Sequence, residues 1–306
     1  MGILKDRKKW DSFKMFLYIL PFLAMVLIFS YYPLYGWVYA FFDYRPPKSL
    51  AKCAFVGFKW FRSLVSNPVK VQQIVQVLEN TFAMSGLTLG TSWLPMLFAV
   101  FLNEIRSVKF RKFVQTVTTL PNFISWVLVY SIAFCLFNST GMMNSFLMNI
   151  GWIKEPVLFL QSTNHVWFTQ WLWLTWKNLG WAAIMYIAAI SGIDEEMYEA
   201  ARVDGASRFQ IINFITLPSL LPTYFVLLML NIANFLSNGM EQYYVFQNAF
   251  NKDYIQVLDL YVYNLAMGSG SYSVSVALSM LKSVISVILL FFANGMSKLI
   301  RGESIL

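Results

Sequence analysis

Charge is scarce in this 306-residue chain: Asp, Glu, Lys and Arg together make up 12% of it. A soluble domain carries about 25%, so an ordinary cytosolic enzyme and a disordered polypeptide both fit poorly. Histidine is scarcer still. His165 is the only one, which leaves no material for a histidine-based metal site or a histidine-dependent catalytic triad. The two cysteines, Cys53 and Cys135, fall in a loop and in an apolar run and are not expected to pair. No Gly-x-x-x-x-Gly-Lys-Ser/Thr run occurs, so the chain carries no P-loop to cradle a nucleoside triphosphate. Nor does any Asp or Glu fall inside an apolar run, which removes the carboxylates that a proton- or cation-coupled carrier would use.

What the chain has instead is apolar length. Hydrophobic residues make up 58% and aromatics 18%. A membrane-crossing helix needs about 20 mainly apolar residues, and six stretches qualify: Phe16–Trp37, Thr81–Leu102, Phe113–Phe137, Val166–Ile190, Ser219–Leu236 and Ser273–Asn294. The fold class expected is therefore an all-α polytopic membrane protein with six transmembrane helices, organised as an N-terminal segment 1–15, one membrane domain 16–300 and a tail 301–306. Lys5, Arg7, Lys8, Lys9 and Lys14 precede the first span; Arg106, Lys109, Arg111 and Lys112 follow the second; Lys298 and Arg301 follow the sixth. Basic residues mark cytoplasmic segments, so both termini are expected in the cytoplasm. The net charge of +8 then reflects topology and anionic lipid, not nucleic acid. The first span is too long for a cleaved signal peptide, and Asp6 stands where a myristoylation pattern wants Ser or Thr.

Between the fourth and fifth spans lies an unusually acidic, helix-prone stretch, residues 191–222. Asp194 reads as an N-cap, with Glu195 and Glu196 in a first turn where the helix dipole favours them. The helix runs to Val203, Gly205 ends it in a left-handed cap, and a second helix covers Ser207–Thr216. Ala200, Ala201 and Ala206 offer a small-residue surface for close packing. Within this stretch, Glu199-Ala200-Ala201, Asp204-Gly205-Ala206 and Leu217-Pro218 resemble the EAA signature of the inner-membrane permeases of type I ATP-binding-cassette importers. Shorter matches support the sugar-importer branch: residues 55–61 with Asn80-Thr81, Leu120-Pro121, Gly141 with Asn144, and residues 261–263.

The resemblance implies a MetI-like permease fold and a coupling segment at 194–218, with Glu199 as the polar anchor on an ATPase. It implies further partners: a second six-helix permease, two ATPase subunits carrying ATP and Mg²⁺, an extracytoplasmic solute-binding protein, and a carbohydrate, with an oligosaccharide expected. The location implied is the bacterial cytoplasmic membrane. No catalytic residue, metal or cofactor is expected in this chain. An importer of a non-sugar solute and a secondary carrier are the alternatives.

Polar groups within spans are costly and therefore functional candidates. Tyr224, Asn231, Asn234 and Asn238 share a helix face by spacing and suit sugar hydroxyls. Gln170, Trp173 and Lys177 share another face. Lys177 and Lys282 fall near mid-span with no carboxylate in a span to neutralise them, so they seek a partner in the second permease, backbone carbonyls, water or an anionic sugar. Ser275, Ser279 and Ser286 read as a close-packing stripe beside Lys282.

Overall fold

The computed structural model describes the backbone of residues 2–301 and the side chains of residues 10, 13–295 and 298. The tail from residue 302 and the side chains of Lys5, Arg7, Lys8, Lys9 and Arg301 lie outside the described residues. Helices follow in this order: α1 Gly2–Val26, α2 Lys59–Ser66, α3 Pro68–Gly90, α4 Leu94–Asn103, α5 Val108–Thr119, α6 Trp126–Phe137, α7 Met142–Asn149, α8 Val166–Ser191, α9 Glu195–Val203, α10 Arg208–Ile211, α11 Leu217–Ala233, α12 Glu241–Phe246, α13 Lys252–Ile255, α14 Leu258–Tyr263 and α15 Tyr272–Arg301. Among the described residues the only extended pairing is an isolated antiparallel bridge between Phe42 and Phe55. Cys53 and Cys135 are free thiols.

Among the described residues, five helical segments are long and apolar enough to cross a bilayer: Phe13–Phe41, Pro68–Asn103, Trp126–Asn149, Arg208–Ala233 and Tyr272–Gly295. The expected fourth span is α8. Its 26 residues extend roughly 39 Å at 1.5 Å each, but its tryptophans, Lys177 and Asn178 make it less apolar than the other five.

Three boundaries differ from the hydropathy reading. The second span starts well before Thr81: α3 begins at Pro68 and continues unbroken to Gly90. The third span is not one helix over 113–137. Pro121 stands two residues past the end of α5, the chain passes through a 3₁₀ turn at Leu120–Phe123, and α6 restarts with the Ser125 side chain accepting from Leu128 N–H. The fifth span ends at Ala233, not Leu236, and its start is continuous with the segment before it. A π-helical turn, Ile212–Thr216, precedes Pro218. It accommodates a residue that lacks an N–H and whose ring crowds the carbonyl four residues back.

The chain divides into two compact units, Met1–Lys70 with Val262–Leu281, and Val71–Tyr261 with Lys282–Leu306. In the first, Trp60 Nε1 and Ser273 Oγ both donate to the carbonyl of Phe42, at 3.0 and 2.7 Å. In the second, Met96, Ala99 and Val100 of α4, Ala183, Tyr186 and Ile190 of α8 and Leu220 of α11 form a buried core. Gly180 lets α8 approach the end of α5: a Cβ there would lie 2.3 Å from the carbonyl oxygen of Thr118. Asn80 and Asn144, both fully buried, hold loops in place. Asn80 donates to the carbonyls of Asp253 and Gln256 and accepts from Trp167 Nε1. Asn144 donates to the carbonyls of Asn138 and Val157 and accepts the Val157 amide.

Candidate functional site

The 194–218 segment folds as its residues dictate. Asp194 caps α9 by accepting the Glu196 amide at 3.0 Å. At the other end Ala206 N–H reaches the carbonyl of Ala201 and Gly205 N–H that of Arg202, at 2.9 and 3.1 Å. This is a Schellman cap, and Gly205 supplies its positive φ of 79°. Ser207 and Gln210 then form a capping box for α10. Glu199, Ala200 and Asp204 are exposed, while Ala201 and Ala206 are half-buried. Val203 and Phe209 are 88% and 72% exposed, and Met197 and Phe214 are exposed in the same segment. The segment is tied to the membrane part in two ways. The Tyr198 hydroxyl lies 3.1 Å from Thr216 Oγ1, which is buried. Leu217 and Ile212 pack on the core that joins α4, α8 and α11, while Pro218 is exposed.

The polar span residues fall into three settings. Tyr224 and Asn231 lie on α11. Tyr224 OH is 3.2 Å from Ser92 Oγ. Asn231 and Ser92 both line a 450 Å³ cleft, whose wall also includes Thr88, Thr91, Trp171 and Asn178. Trp171 Nε1 donates to Thr91 Oγ1 at 2.9 Å, and Asn178 Oδ1 accepts from Asn122 at 3.0 Å. Hydroxyls, the amides of Asn178 and Asn231 and the indoles of Trp171 and Trp181 suit a sugar, which presents hydroxyls and apolar C–H faces together. Residues 88, 91 and 92 of α3 and the turn after it, and 171, 175 and 178 of α8, were not singled out from sequence. Their helical spacing would have found them.

The other members of the expected α11 stripe do not join this cleft. Asn234 caps α11 and donates to the carbonyl of Leu230. Asn238 is beyond the helix end, in a loop, where it donates to Ser85 Oγ. The seven-residue repeat therefore does not continue to residue 238.

Gln170 and Trp173 line a second cavity of 580 Å³. There Gln170 receives two bonds from the Gln242 amide, to its carbonyl and its side chain. Trp173 packs among Phe137, Trp176 and Phe246 with ring centroids 5.9–6.1 Å away.

Both lysines have partners within the chain. Lys177 Nζ donates to the carbonyls of Pro121 and Asn122, at 3.2 and 2.6 Å, and lies 5.5 Å from the Trp126 ring. It thus satisfies carbonyls freed where the third span breaks. Lys282 pairs with Asp259 of α14, a carboxylate outside the expected spans and not among the partners expected for it. Asp259 also accepts the Gly239 amide at 2.9 Å.

The model of the family described as the binding-protein-dependent transport system inner membrane component matches residues 86–302. Protein LplB of Bacillus subtilis (strain 168) is 37% identical over 309 residues, covering 100% of this chain and 93% of its own length. The polygalacturonan/rhamnogalacturonan transport system permease protein YteP of the same organism is 36% identical over 295 residues, covering 95% of this chain and 89% of its own length. A crystal structure of a bacterial alginate transporter of the ATP-binding-cassette class, in complex with an alginate pentasaccharide-bound periplasmic protein, contains a chain similar along its whole length. It is 32% identical with a TM-score of 0.84, and 100% of both chains is covered. The chain belongs to the family of binding-protein-dependent transport system inner membrane components, and it is a membrane-embedded permease subunit, not an enzyme.

Proposed function

We propose that this permease imports oligosaccharides derived from acidic polysaccharides, working with a second six-helix permease, two ATPase subunits that carry ATP and Mg²⁺, and an extracytoplasmic solute-binding protein. The 194–218 segment docks on an ATPase subunit, with Glu199 as its polar anchor and Val203 and Phe209 as its apolar contacts. The observation that carries the reading is a physical linkage. The docking segment runs without interruption into α11, and α11 presents Tyr224 and Asn231 toward the cleft lined by Ser92, Trp171 and Asn178.

Movement imposed on α9 therefore reaches the cleft wall through the Tyr198–Thr216 contact and the core around Leu217 and Leu220. In the cycle, a loaded binding protein docks outside and ATP closes the ATPase dimer. The coupling segments are drawn together and the cavity opens outward; hydrolysis resets it inward. Both termini face the cytoplasm in this orientation. The acidic cargo is supported by relatives above 30% identity named for polygalacturonan/rhamnogalacturonan and for alginate.

The reading is tested by reconstituting the complex with its binding protein and measuring ATP hydrolysis stimulated by trigalacturonate. Glu199→Lys is expected to insert normally yet to lose most ATPase association and stimulated hydrolysis. Normal assembly and uptake in that variant would contradict the docking role, and uptake without any ATPase partner would favour a secondary carrier.

A further inference from the structure

An acidic cargo brings charge that something must meet, and the two lysines in the spans are already engaged. Lys177 serves the carbonyls of Pro121 and Asn122, and Lys282 serves Asp259. The cleft beside α11 has no charged side chain among its described lining residues. Among the described residues, cations line a 150 Å³ cavity at Arg111 and Lys112, in the segment expected on the cytoplasmic side, and a larger cavity in the first unit. The larger one encloses 270 Å³ and is walled by Tyr44, Arg45, Trp60, Lys70, Tyr272 and Ser273.

We propose that this cavity is a subsite for one carboxylate-bearing sugar ring, the terminal residue of an acidic oligosaccharide. The inference rests on the acidic-cargo reading above. The orientation proposed there places the cavity outside the membrane, because its walls come from the loop after the first span and from the start of the sixth.

The wall chemistry fits that ligand. Arg45 has one charge partner, Asp43, at 3.6 Å, and the two side chains are 76% and 32% exposed. Water-exposed pairs of this kind hold weakly, so the guanidinium can turn to a carboxylate and bind it through two N–H groups. Lys70 is half-buried and, among the described residues, has no carboxylate within ion-pair distance. The cavity wall thus carries two cations, Arg45 and Lys70, and one carboxylate, Asp43.

The aromatic walls favour a sugar over a bare anion. Tyr44 and Tyr272 stand edge to face with centroids 6.1 Å apart, and such rings take the apolar C–H faces of a pyranose. The framework is pre-set without a ligand: Ser273 Oγ accepts the Tyr44 amide and donates to the Phe42 carbonyl, which also receives Trp60 Nε1. Pockets for drug-sized molecules run about 300–1,000 Å³, so 270 Å³ suits a single ring better than a whole oligosaccharide.

The test is direct binding of trigalacturonate to the assembled importer in lipid nanodiscs, without binding protein, by isothermal titration. The double variant Arg45→Gln/Lys70→Gln is expected to weaken binding about tenfold, the loss of roughly one charge-assisted contact. Lys70→Arg should retain it, added salt should weaken it, and maltotriose, which is neutral, should bind no better to wild type than to the variant. A wild-type complex that does not bind trigalacturonate, or a double variant that binds it unchanged, overturns the subsite. A double variant that weakens binding-protein docking while leaving trigalacturonate binding intact assigns the cavity to an acidic side chain of that protein and also overturns it. Trigalacturonate that binds in nanodiscs but is not taken up by proteoliposomes keeps the subsite and removes the acidic-cargo reading.

Discussion

Lys282 sits about a third of the way along α15, where its ammonium meets one carboxylate oxygen of Asp259 while the other accepts the Gly239 amide. The side chains are only 17% and 20% exposed, so each charge depends on the other. Removing one partner of a buried pair typically costs about 3–5 kcal/mol, because the survivor is left uncompensated, whereas removing both is far milder. Lys282→Met is therefore expected to lower thermal stability in detergent clearly, and Lys282→Met/Asp259→Asn to recover most of that loss. Equal destabilisation by the single and double variants would show that the pair is not coupled. Because the lysine is neutralised internally, the single variant should slow uptake of neutral and uronate oligosaccharides alike.

At the scale of elements, the α9–α10 turn sets how the docking segment is presented. Gly205 has a positive φ and donates to the Arg202 carbonyl; Pro would forbid both. Gly205→Pro is expected to leave membrane insertion intact and to abolish copurification of the ATPase, read by pull-down from solubilised membranes. Tyr198→Phe removes only the contact with Thr216. A single hydrogen bond is worth about 0.5–1.5 kcal/mol, so the ATPase should still assemble while cargo-stimulated hydrolysis falls roughly two- to tenfold. This segment was legible in the sequence because every signal in it is local: Asp194, Gly205 and the Ser207–Gln210 box act within a few residues of themselves. The break in the third span was not. Hydropathy runs smoothly across Leu120-Pro121, and the lysine that stabilises the break, Lys177, is more than fifty residues away in sequence. Asp259 was missed for the same reason: it lies outside every apolar run, and only the fold of α14 brings it to Lys282.

For the molecule as a transporter, recognition and coupling have to be separable, because a binding protein delivers the cargo and an ATPase drives its release. The residues lining the cleft lie outside the 194–218 segment proposed to dock on the ATPase. Trp171 and Asn178 were missed in sequence because eleven tryptophans in an apolar chain mostly read as interface anchors or core. Their partners, Thr91 and Asn122, sit on other elements. Ala at 171 leaves Thr91 bonded to the Leu87 carbonyl, so folding should survive. Trp171→Ala and Asn178→Ala are therefore expected to reduce uptake in proteoliposomes about tenfold each, in line with about 1–3 kcal/mol for a lost ring or amide contact. The binding-protein concentration that half-saturates ATP hydrolysis should stay unchanged. A shift in that concentration would place these residues in docking, and unchanged uptake would take the cleft off the sugar path.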